Sequence, residues 1–574
     1  KMPFEYKITK YSFDSHQANS YWLAIICPFK YRETYNRDNS NPGSIDESVN
    51  PTEERSTIIV SDSCTSWQVM SGKDSHVSSL AMELLPTSAD ILDRFVPDDW
   101  IVFWAFDNYN DFLIIKNKIT SIPRKRANEF DRAPKFIGRI NNTIENKTTE
   151  PSSGRKIITY VVTAFGFSEL DSNMYFDQAI ELLRPGAEAY WDDWKEGDES
   201  LGTKALITGQ EAIPALYEVC LGLGPGARSK TAGLEGGPTM SPNEAYQIPD
   251  TIARLILGND SIKLKPEAGY TYADLCRFFI GNHQYDGSDF MPSNPAFLSI
   301  DNFQFKANRI NELNPPISGI FQLQPIYFNN ESVWSILETY LSKPINEMYT
   351  CLRVDQEDHV VPTIVCRQIP WSTNKFIKDG NLGTSFLSLP RWIIDDSMVL
   401  NIQVGRSNNL RCNYMQIMPI NHGMDERTRV QITRAYAEPI ANSVDIKRSG
   451  LRAIIKQIGA TFDGFGTNSE ADAVRFYNKL MADALFDGHL KFSGTATLKG
   501  VQKPICPGDN CVVDGVVYHI EKVTHSGSIM FDGKKEFNTI LQLSNGVSIE
   551  SDKKDTFIYP GKSLFINEQI GINS

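Results

Sequence analysis

Three histidines in the last quarter of this 574-residue chain are the first candidates for chemistry: His489, His519 and His525. An imidazole can bind a metal ion or act as a general base near neutral pH. No cysteine or carboxylate lies at ligand spacing from them, and the chain has neither the His-Glu-x-x-His motif of metallopeptidases nor a Gly-x-Ser-x-Gly motif. This pattern is typical of structural or interface histidines.

Adjacent acids are the second group of candidates, because a glycosidase needs two carboxyl groups about 5 to 9.5 Å apart. Neighbouring side chains on a strand point to opposite faces of the sheet, so adjacency alone does not produce that geometry. Adjacent acids are more typical of solvated turns. The adjacent aspartate pairs in this chain are Asp98 and Asp99, Asp192 and Asp193, and Asp395 and Asp396.

A glycine-rich segment at residues 224–231 differs by one residue from a phosphate-binding P-loop, since Ser229 stands where the second glycine belongs. A P-loop follows a buried strand and opens a helix. Here the preceding residues have helical tendency, and the following AGLEGGPTM cannot form a helix. We interpret residues 222–242 as a flexible loop that moves or lies against a neighbouring subunit.

The nine cysteines show no metal-ligand spacing and no dense disulfide framework. Cys506 and Cys511 lack the second pair that a zinc site needs. We expect buried thiols. Taken with the histidines and acids, the sequence predicts no catalytic, cofactor-binding or metal-binding residues.

Charge argues against nucleic-acid binding as a main function. The chain has 57 Lys and Arg against 70 Asp and Glu, a net charge of −13, whereas a nucleic-acid binder usually carries a positive balance that neutralises phosphates. The first residues have no apolar segment of a signal peptide, and the apolar runs fall well below the ~18 residues of a membrane helix. We expect no membrane segment and synthesis in a reducing cytoplasm.

The last quarter of the chain reads as a helix followed by tightly turned strands. Ser469 and Asp472 form a capping box, apolar residues then recur at helical spacing, and Gly488 is the expected left-handed terminator. Asp514-Gly515 and Asp532-Gly533 each separate two strand-like segments, and type I′ hairpin turns need positive φ at both central residues. The sequence therefore predicts a small antiparallel barrel or sandwich.

Strand patterns also dominate the first 170 residues. Segments 21–27 and 56–70 flank a polar loop at 32–55, and residues 157–163 form a further strand. Residues 101–106 and 112–115 predict a hairpin whose bulky strands are buried on both faces or lie in a subunit interface. Helices are predicted at 204–223, 243–257 and 330–341, the last with Asn330 as its N-cap.

The order of these motifs resembles that of phage tail hub proteins. The last helix, then GHLKFSGTATLKG, PICPGDNCVVDGVVYHIEKVTHS and NTILQLSNG, is similar to the C-terminal part of baseplate hubs of contractile-tailed phages, the late control protein D family and the hub part of siphophage tail-associated proteins. Segments 136–171 and 332–371 and the RSGLR of residues 448–452, with Ser449 in place of an aromatic residue, agree in the same order. The resemblance covers about two thirds of the chain and omits residues 204–317.

This resemblance implies an α+β, mainly β fold with several small antiparallel β-barrel or sandwich domains and inserted helices. It implies a first tube-type β-barrel domain at residues 1–130, a β-rich insert at 131–200 and an α+β hub domain at 318–440. Residues 441–574 would form a second β-barrel domain. Residues 201–317 would be a helical or loop insertion of unknown role.

The function implied is structural and non-enzymatic: a homotrimeric hub ring at a phage tail tip or baseplate, or in a related contractile injection device. The ring would join the sixfold tail tube to a threefold spike. Its partners would be the tail tube or distal tail protein, the central spike protein and the tape measure protein, and genome DNA would pass through without specific binding. The virion would be assembled in the host cytoplasm. Two alternatives remain, a tail-associated peptidoglycan hydrolase and a glycan-binding tail protein that recognises the host surface. The segment after the last strand leaves no room for a C-terminal catalytic domain, so we expect a hydrolase only within 204–317.

Overall fold

The computed structural model describes residues 5–8, 20–27, 58–86, 95–118, 132–149, 156–167, 346–354, 360–368, 391–419, 439–458, 488–530 and 533–549, with short strands and single residues between them. In these parts the chain consists mainly of antiparallel β-structure with short helices, which confirms the predicted fold class. The described strands form no closed barrel. The division into five domains stays a prediction.

The strands of the described residues are, in chain order, β1 (Glu5–Ile8), β2 (Tyr21–Cys27), β3 (Ile58–Val60), β4 (Cys64–Gly72), β5 (Ser79–Leu84), β6 (Trp100–Phe106), β7 (Phe136–Thr149), β8 (Lys156–Gly166), β9 (Tyr175–Phe176), β10 (Gln247–Ile248), β11 (Tyr270–Thr271), β12 (Leu298–Asp301), β13 (Glu331–Ser332), β14 (Asn346–Val354), β15 (Val360–Gln368), β16 (Arg391–Ile394), β17 (Val399–Gly405), β18 (Tyr414–Pro419), β19 (His422–Met424), β20 (Gln431–Thr433), β21 (Ile440–Ala441), β22 (Ala453–Ile458), β23 (Phe492–Lys499), β24 (Asn510–Val513), β25 (Val516–Ile529), β26 (Lys535–Ile549) and β27 (Phe557–Ile558).

Helices are few in the same residues. The α-helices with described bounds are α1 (Tyr109–Lys118) and α2 (Ser443–Ser449), and short 3-10 helices occupy Asp396–Met398, Asn408–Leu410 and Gly488–Leu490. No helix in this part of the chain is long and apolar enough to cross a membrane.

Fifteen strands form one sheet, in the order β1-β16-β24-β25-β4-β5-β8-β7-β6-β2-β3. β25 pairs with β26 along its other edge, and the branch continues from β26 to β23 and then to β17. The β1–β16 and β16–β24 pairs are parallel, and the others are antiparallel. The sheet therefore joins strands from both ends of the chain.

Two hydrophobic cores lie along this sheet. We call β2 to β8 with α1 the N-terminal β unit, whose core includes Trp22, Trp67 and Phe103. We call β16, β17 and β23 to β26 the C-terminal β unit, whose core includes Trp392 and Leu541. Phe537 of β26 belongs to the first core, so the two units share side chains as well as backbone pairing.

The predicted hairpin of residues 101–106 and 112–115 is wrong in its second half, because residues 109–118 form helix α1. The Asn108 side chain accepts from the Asn110 N–H at 2.9 Å, which favours a helix start, and Asp111 lies in the positively polarised first turn. Phe112 and Ile115 are buried at i, i+3 spacing on one helix face. Helical spacing therefore explains the apolar run.

Strand β6 is buried along its whole length inside the chain. Ile101, Phe103 and Ala105 face the N-terminal core, and Phe106 on the opposite face contacts Phe112 of α1, with ring centroids 6.1 Å apart. The aromatic residues of β6 are therefore core residues. The suggestion that they form a subunit interface is wrong.

Both predicted hairpins of the C-terminal β unit are confirmed. β24 and β25 pair through Val513 and Val516, and the intervening Asp514 and Gly515 have φ of 50° and 72°. β25 and β26 pair up to Ile529 and Lys535, and Gly533 has φ of 79°. Gly488, however, starts a 3-10 helix and is absent from the positive-φ glycines, so its prediction as a left-handed terminator is wrong.

Other predictions are met in part. β2 and the β7–β8 hairpin form as expected, and segment 56–70 is divided between β3 and β4. Within 330–341, Trp334 is helical and buried, but the cap is Ser332, whose Oγ accepts from the Ser335 N–H at 3.2 Å.

Gln247 and Ile248 lie in β10, so the helix predicted across them is wrong there. The polar loop, helix 204–223, the P-loop-like segment and the capping box at Ser469 lie outside the described residues.

The RSGLR segment begins in the last two residues of α2 and is positioned by a buried asparagine. Asn413 Nδ2 donates to the Gly450 carbonyl at 2.8 Å, and its Oδ1 accepts from the Arg452 N–H at 2.7 Å. Gly450 itself has φ of 78° and ψ of 173°, an extended positive-φ conformation that favours glycine. The motif is thus a helix end and a sharp turn that lead from α2 into β22, which pairs in parallel with β18.

We predict that Gly515→Val lowers the free energy of unfolding by about 1–3 kcal/mol, because a β-branched residue is strained at positive φ. Gly405→Val is the matched control, since an added Cβ meets no atom within 4 Å at either position and Gly405 lacks a positive φ. Thermal or urea unfolding measures both. Equal stability of the two variants would contradict the turn assignment.

Candidate functional site

The seam between the two β units is the antiparallel pairing of β4 with β25. It joins seven residue pairs, from Gly72 with Lys522 to Ser66 with Ser528. β25 can make this seam because it is 14 residues long. Along one edge of β25, residues 516–519 pair with β24 and residues 522–528 pair with β4. Along the other edge, β25 pairs with β26.

A glycine allows aromatic packing across the seam. Trp67 of β4, Gly527 of β25 and Phe537 of β26 lie in one row across the three strands. The Trp67 and Phe537 ring centroids are 5.4 Å apart, and a Cβ on Gly527 would lie 2.4 Å from Trp67 Nε1. Only a residue without a side chain leaves room for the indole.

The next row of the seam contains a buried histidine, His525. Its Nδ1 lies 2.9 Å from Thr539 Oγ1 of β26, and the same hydroxyl oxygen accepts from the Val501 N–H at 3.0 Å. Burial lowers the pKa of His525 well below its usual value, and Lys135 lowers it further. The imidazole is therefore neutral and structural at neutral pH.

A buried lysine forms the second link between the units. Lys135 precedes β7, and its Nζ donates to the carbonyls of Gln502 at 2.6 Å and Lys503 at 2.8 Å. Burial lowers the Lys135 pKa to about 7, and Asp107 partly opposes that shift. A neutral amine still has two N–H donors for these two carbonyls.

The Gln502 side chain makes two hydrogen bonds with the N-terminal β unit. Its Oε1 accepts from the Asp107 N–H at 3.2 Å, and its Nε2 donates to Asp111 Oδ2, also at 3.2 Å. Arg132 Nε holds the other Asp111 oxygen at 2.9 Å. Burial raises the Asp107 pKa to about 6. The loop before β24 is thus tied to α1 and β6 by buried polar contacts.

A second lysine joins both units to the β14–β15 hairpin. Lys73 Nζ lies 2.7 Å from Glu347 Oε2 of β14, 3.3 Å from Glu521 Oε2 of β25 and 3.0 Å from His519 Nε2. An ammonium only donates, so His519 Nε2 must accept and its Nδ1 donates to Asn510 Oδ1 at 3.0 Å. Three segments distant in sequence meet at one cation.

The sheet face opposite the shared core is polar and crosses the seam without interruption; we call it the outer face. Strand registers place its side chains in rows across β23, β26, β25, β4, β5, β8 and β7. None of these side chains is buried. One such row consists of Lys499, Asn538, Ser526, Gln68, Ala81, Thr163 and Asn142.

A neighbouring row extends the outer face to β17. It consists of Asn401, Thr497, Ile540, Thr524, Met70, Ser79, Phe165 and Arg139. Hydroxyl and amide groups predominate in the first row and make up half of the second, in which Ile540, Met70 and Phe165 are apolar. The two rows contain two cations, Lys499 and Arg139, and no acid. Arg139 is itself paired with Asp98. These two rows therefore carry little charge over eight strands.

The predicted candidates for chemistry do not converge on one site. His489 lies in a 3-10 helix with its Nδ1 3.1 Å from the Phe486 carbonyl, whereas His519 and His525 lie on the same strand. Asp99 is buried and accepts from the Val96 N–H at 3.0 Å, so it is a turn residue but not a solvated one. Asp395 caps a 3-10 helix. Asp192 and Asp193 lie outside the described residues.

The six cysteines that the structure describes are all buried free thiols: Cys27, Cys64, Cys351, Cys412, Cys506 and Cys511. In the same part of the chain, no group of three or more His, Cys, Asp or Glu side chains could hold a metal ion. Sequence reasoning missed Lys73, Lys135 and Gln502, which show no local pattern. Gly527 did give a signal, because an isolated glycine in a strand indicates a close approach of other atoms.

No protein-family model matches the chain, and no curated protein matches its sequence. Among solved structures, it is similar to a 43 kDa prophage tail protein from Shewanella oneidensis, with 6% identity, a TM-score of 0.38 and coverage of 91% of this chain and 98% of that one. A tail protein from Neisseria meningitidis has 8% identity, a TM-score of 0.38 and coverage of 91% and 96%.

A third similar structure is an Escherichia coli component of the type VI secretion system, described as structurally similar to bacteriophage T4 tail proteins. It has 7% identity, a TM-score of 0.30 and coverage of 87% of this chain and 76% of that one. These neighbours belong to the class of protein that the sequence resembles. At these TM-scores the likeness does not assign a function.

We predict that Gly527→Ala lowers the free energy of unfolding by about 1–3 kcal/mol, because the added methyl group overpacks the seam against Trp67. In a Trp67→Leu background, the same change should cost less than half as much, since the indole is gone. A double-mutant cycle by urea unfolding measures this coupling. Additive effects would contradict the packing described.

Lys135 should make stability depend on pH. Its pKa falls from 10.5 in the unfolded chain to about 7 in the folded one. Below pH 7 both states are protonated and the full desolvation penalty is present. Between these values the unfolded chain alone keeps the proton, so stability rises with pH.

Lys135→Met removes this titration while keeping an unbranched side chain. From pH 7 to pH 9, wild type should gain on the order of 1–3 kcal/mol of unfolding free energy relative to the variant. Urea unfolding at the two pH values measures the gain. Parallel pH profiles of the two proteins would contradict a buried lysine with a lowered pKa.

Proposed function

We propose that this chain is a structural component of a phage tail tip or baseplate, and that copies of it form a homotrimeric hub ring. The outer face carries this proposal. It spans two β units that the seam holds in one sheet, so a single chain offers a wide, regular polar surface. A ring of such surfaces would enclose a channel.

The chemistry of the outer face suits the passage of a polyanion. Each phosphate contact by Lys or Arg adds salt-dependent affinity, so a channel rich in cations would hold the DNA it has to release. The hydroxyls and amides of the two rows, with only two cations among them, give little such retention. The chain as a whole carries a net charge of −13, which further disfavours binding of DNA.

The contacts at the seam hold the two β units together, as a structural role requires. Its backbone ladder, the buried Lys135 contacts and the Lys73 cluster join the two units at three places. A chain with two β units would give six units in a trimer, the number needed to meet a sixfold tube above a threefold spike. Partners in this proposal are the tail tube or distal tail protein, the central spike and the tape measure protein, in a virion assembled in the host cytoplasm.

The mass of the purified protein in solution tests the ring. Light scattering coupled to size-exclusion chromatography should give three times the 64.6 kDa of one chain. A stable monomer would overturn the proposal. A monomer that clears peptidoglycan in a zymogram or binds host glycans would instead favour a tail-associated hydrolase or a glycan-binding tail protein.

Adding cations to the outer face should create DNA retention. We predict that Gln68→Lys with Asn538→Lys raises the affinity of the oligomer for duplex DNA and steepens its salt dependence, because the added charges of all copies would face one channel. Asn408→Lys with Asn409→Lys adds the same charge at exposed positions of a 3-10 helix that contributes no residue to the two outer-face rows.

Fluorescence anisotropy with a short duplex at two salt concentrations compares the two variants. The outer-face variant should bind DNA at least tenfold more tightly than the control, an effect of about 1.4 kcal/mol. Equal affinities would count against a channel lined by this face.

A further inference from the structure

Two buried thiols from distant parts of the chain meet beside the seam. Cys351 lies on β14, and Cys506 lies in the loop that precedes β24. They pack in one apolar cluster with Tyr349 and Val365, and both are nearly inaccessible to solvent. In the sequence they are 155 positions apart, so their contact is a property of the folded chain.

The two side chains are direct neighbours. Cys351 and Cys506 pack in the same buried cluster, and the proximity of the Cys351 side chain together with burial raises the pKa of Cys506 well above its usual value. Cys506 Sγ also donates to Asp509 Oδ2 at 3.2 Å, and Trp392 Nε1 holds that carboxylate at 2.9 Å. The position of the Cys506 thiol is therefore fixed by the core of the C-terminal β unit.

A small cavity of about 40 Å³ adjoins both thiols and is also lined by Lys135, Ile505 and His525. Space next to the sulfur atoms allows the Cys351 side chain to rotate about its Cα–Cβ bond, which is the movement that bond formation with the fixed Cys506 thiol requires. The cavity has room for little more than water.

We propose that Cys351 and Cys506 are a site of reversible disulfide formation that joins the β14–β15 hairpin covalently to the C-terminal β unit. The oxidant is a small-molecule disulfide such as oxidised glutathione. The two S–H bonds break and one S–S bond forms between the cysteines. The S–S bond of the oxidant breaks, and the two protons and two electrons released by the cysteines convert the oxidant into two thiols.

The bond would add a covalent link to the β14–β15 hairpin, which is otherwise held against both β units by non-covalent contacts. On the N-terminal β unit, the hairpin is held by Thr350, whose Oγ1 donates to the His76 carbonyl at 2.8 Å, and by the Glu347 contact with Lys73. On the C-terminal β unit, its apolar contact is made through Cys506. Oxidation fixes this second contact and closes a long loop of chain.

Peptide mapping of the oxidised full chain tests the site. The protein is equilibrated at pH 9 with rising ratios of oxidised to reduced glutathione, alkylated and digested without reduction. Mass spectrometry should find the Cys351 and Cys506 peptides linked, with the loss of two hydrogen atoms, as the main cross-link. The thermal midpoint should rise on oxidation and return after treatment with a phosphine reductant.

Cys351→Ser and Cys506→Ser should each abolish the cross-link and the thermal shift. Cys412→Ser removes a buried thiol elsewhere and should keep both. The wild-type map decides the matter even where a serine variant fails to fold. A missing cross-link in excess oxidised glutathione, a main cross-link between other cysteines, or a midpoint that does not rise on oxidation overturns the proposal.

Discussion

The pairing of β4 with β25 is the interaction on which the rest of the structure depends. Gly72 and Lys522 are 450 positions apart, yet they are neighbours in one ladder. Closing such a long loop has a high entropic cost, which must be offset by what the ladder brings together. The shared core around Trp67 and Phe537 supplies apolar burial, and the outer face becomes continuous only because this ladder forms.

Buried polar groups make the seam specific. Hydrophobic packing alone would allow the two β units to shift relative to each other. The hydrogen bonds of Lys135, Gln502 and Asp111, in contrast, form only in one arrangement of the two units. Desolvation of Lys135 is unfavourable, and its lowered pKa measures that penalty. A misregistered seam would leave these groups buried without partners, which costs more than the contacts themselves provide.

Local features of the fold were readable from the sequence. Asp514-Gly515 and Asp532-Gly533 predicted two hairpins because only certain residues adopt positive φ, and the mainly β class followed from the alternating patterns. The run at residues 112–115 was misread, since a short apolar run has the same appearance in a strand and in a helix. The capping residue Asn108 was the overlooked signal.

Features that depend on distant residues were not readable. Nothing near Ser66 or Ser528 indicates that the two strands pair, and a lone lysine before a strand, such as Lys135, has no pattern. The outer face likewise can be recognised only from the register across eight strands, which the sequence does not show. The sequence shows the alternation of apolar and polar residues within each strand. Only the pairing of the strands in the fold brings the polar positions together on one surface.

An electron cryo-microscopy map of the purified oligomer tests the central claim most directly. The account predicts a closed ring in which each chain keeps the β4–β25 ladder, and in which the outer-face row through Gln68, Ser526 and Asn538 faces an open lumen. A ring whose lumen is lined by other residues with an excess of Lys and Arg would contradict the account. So would an oligomer that encloses no channel.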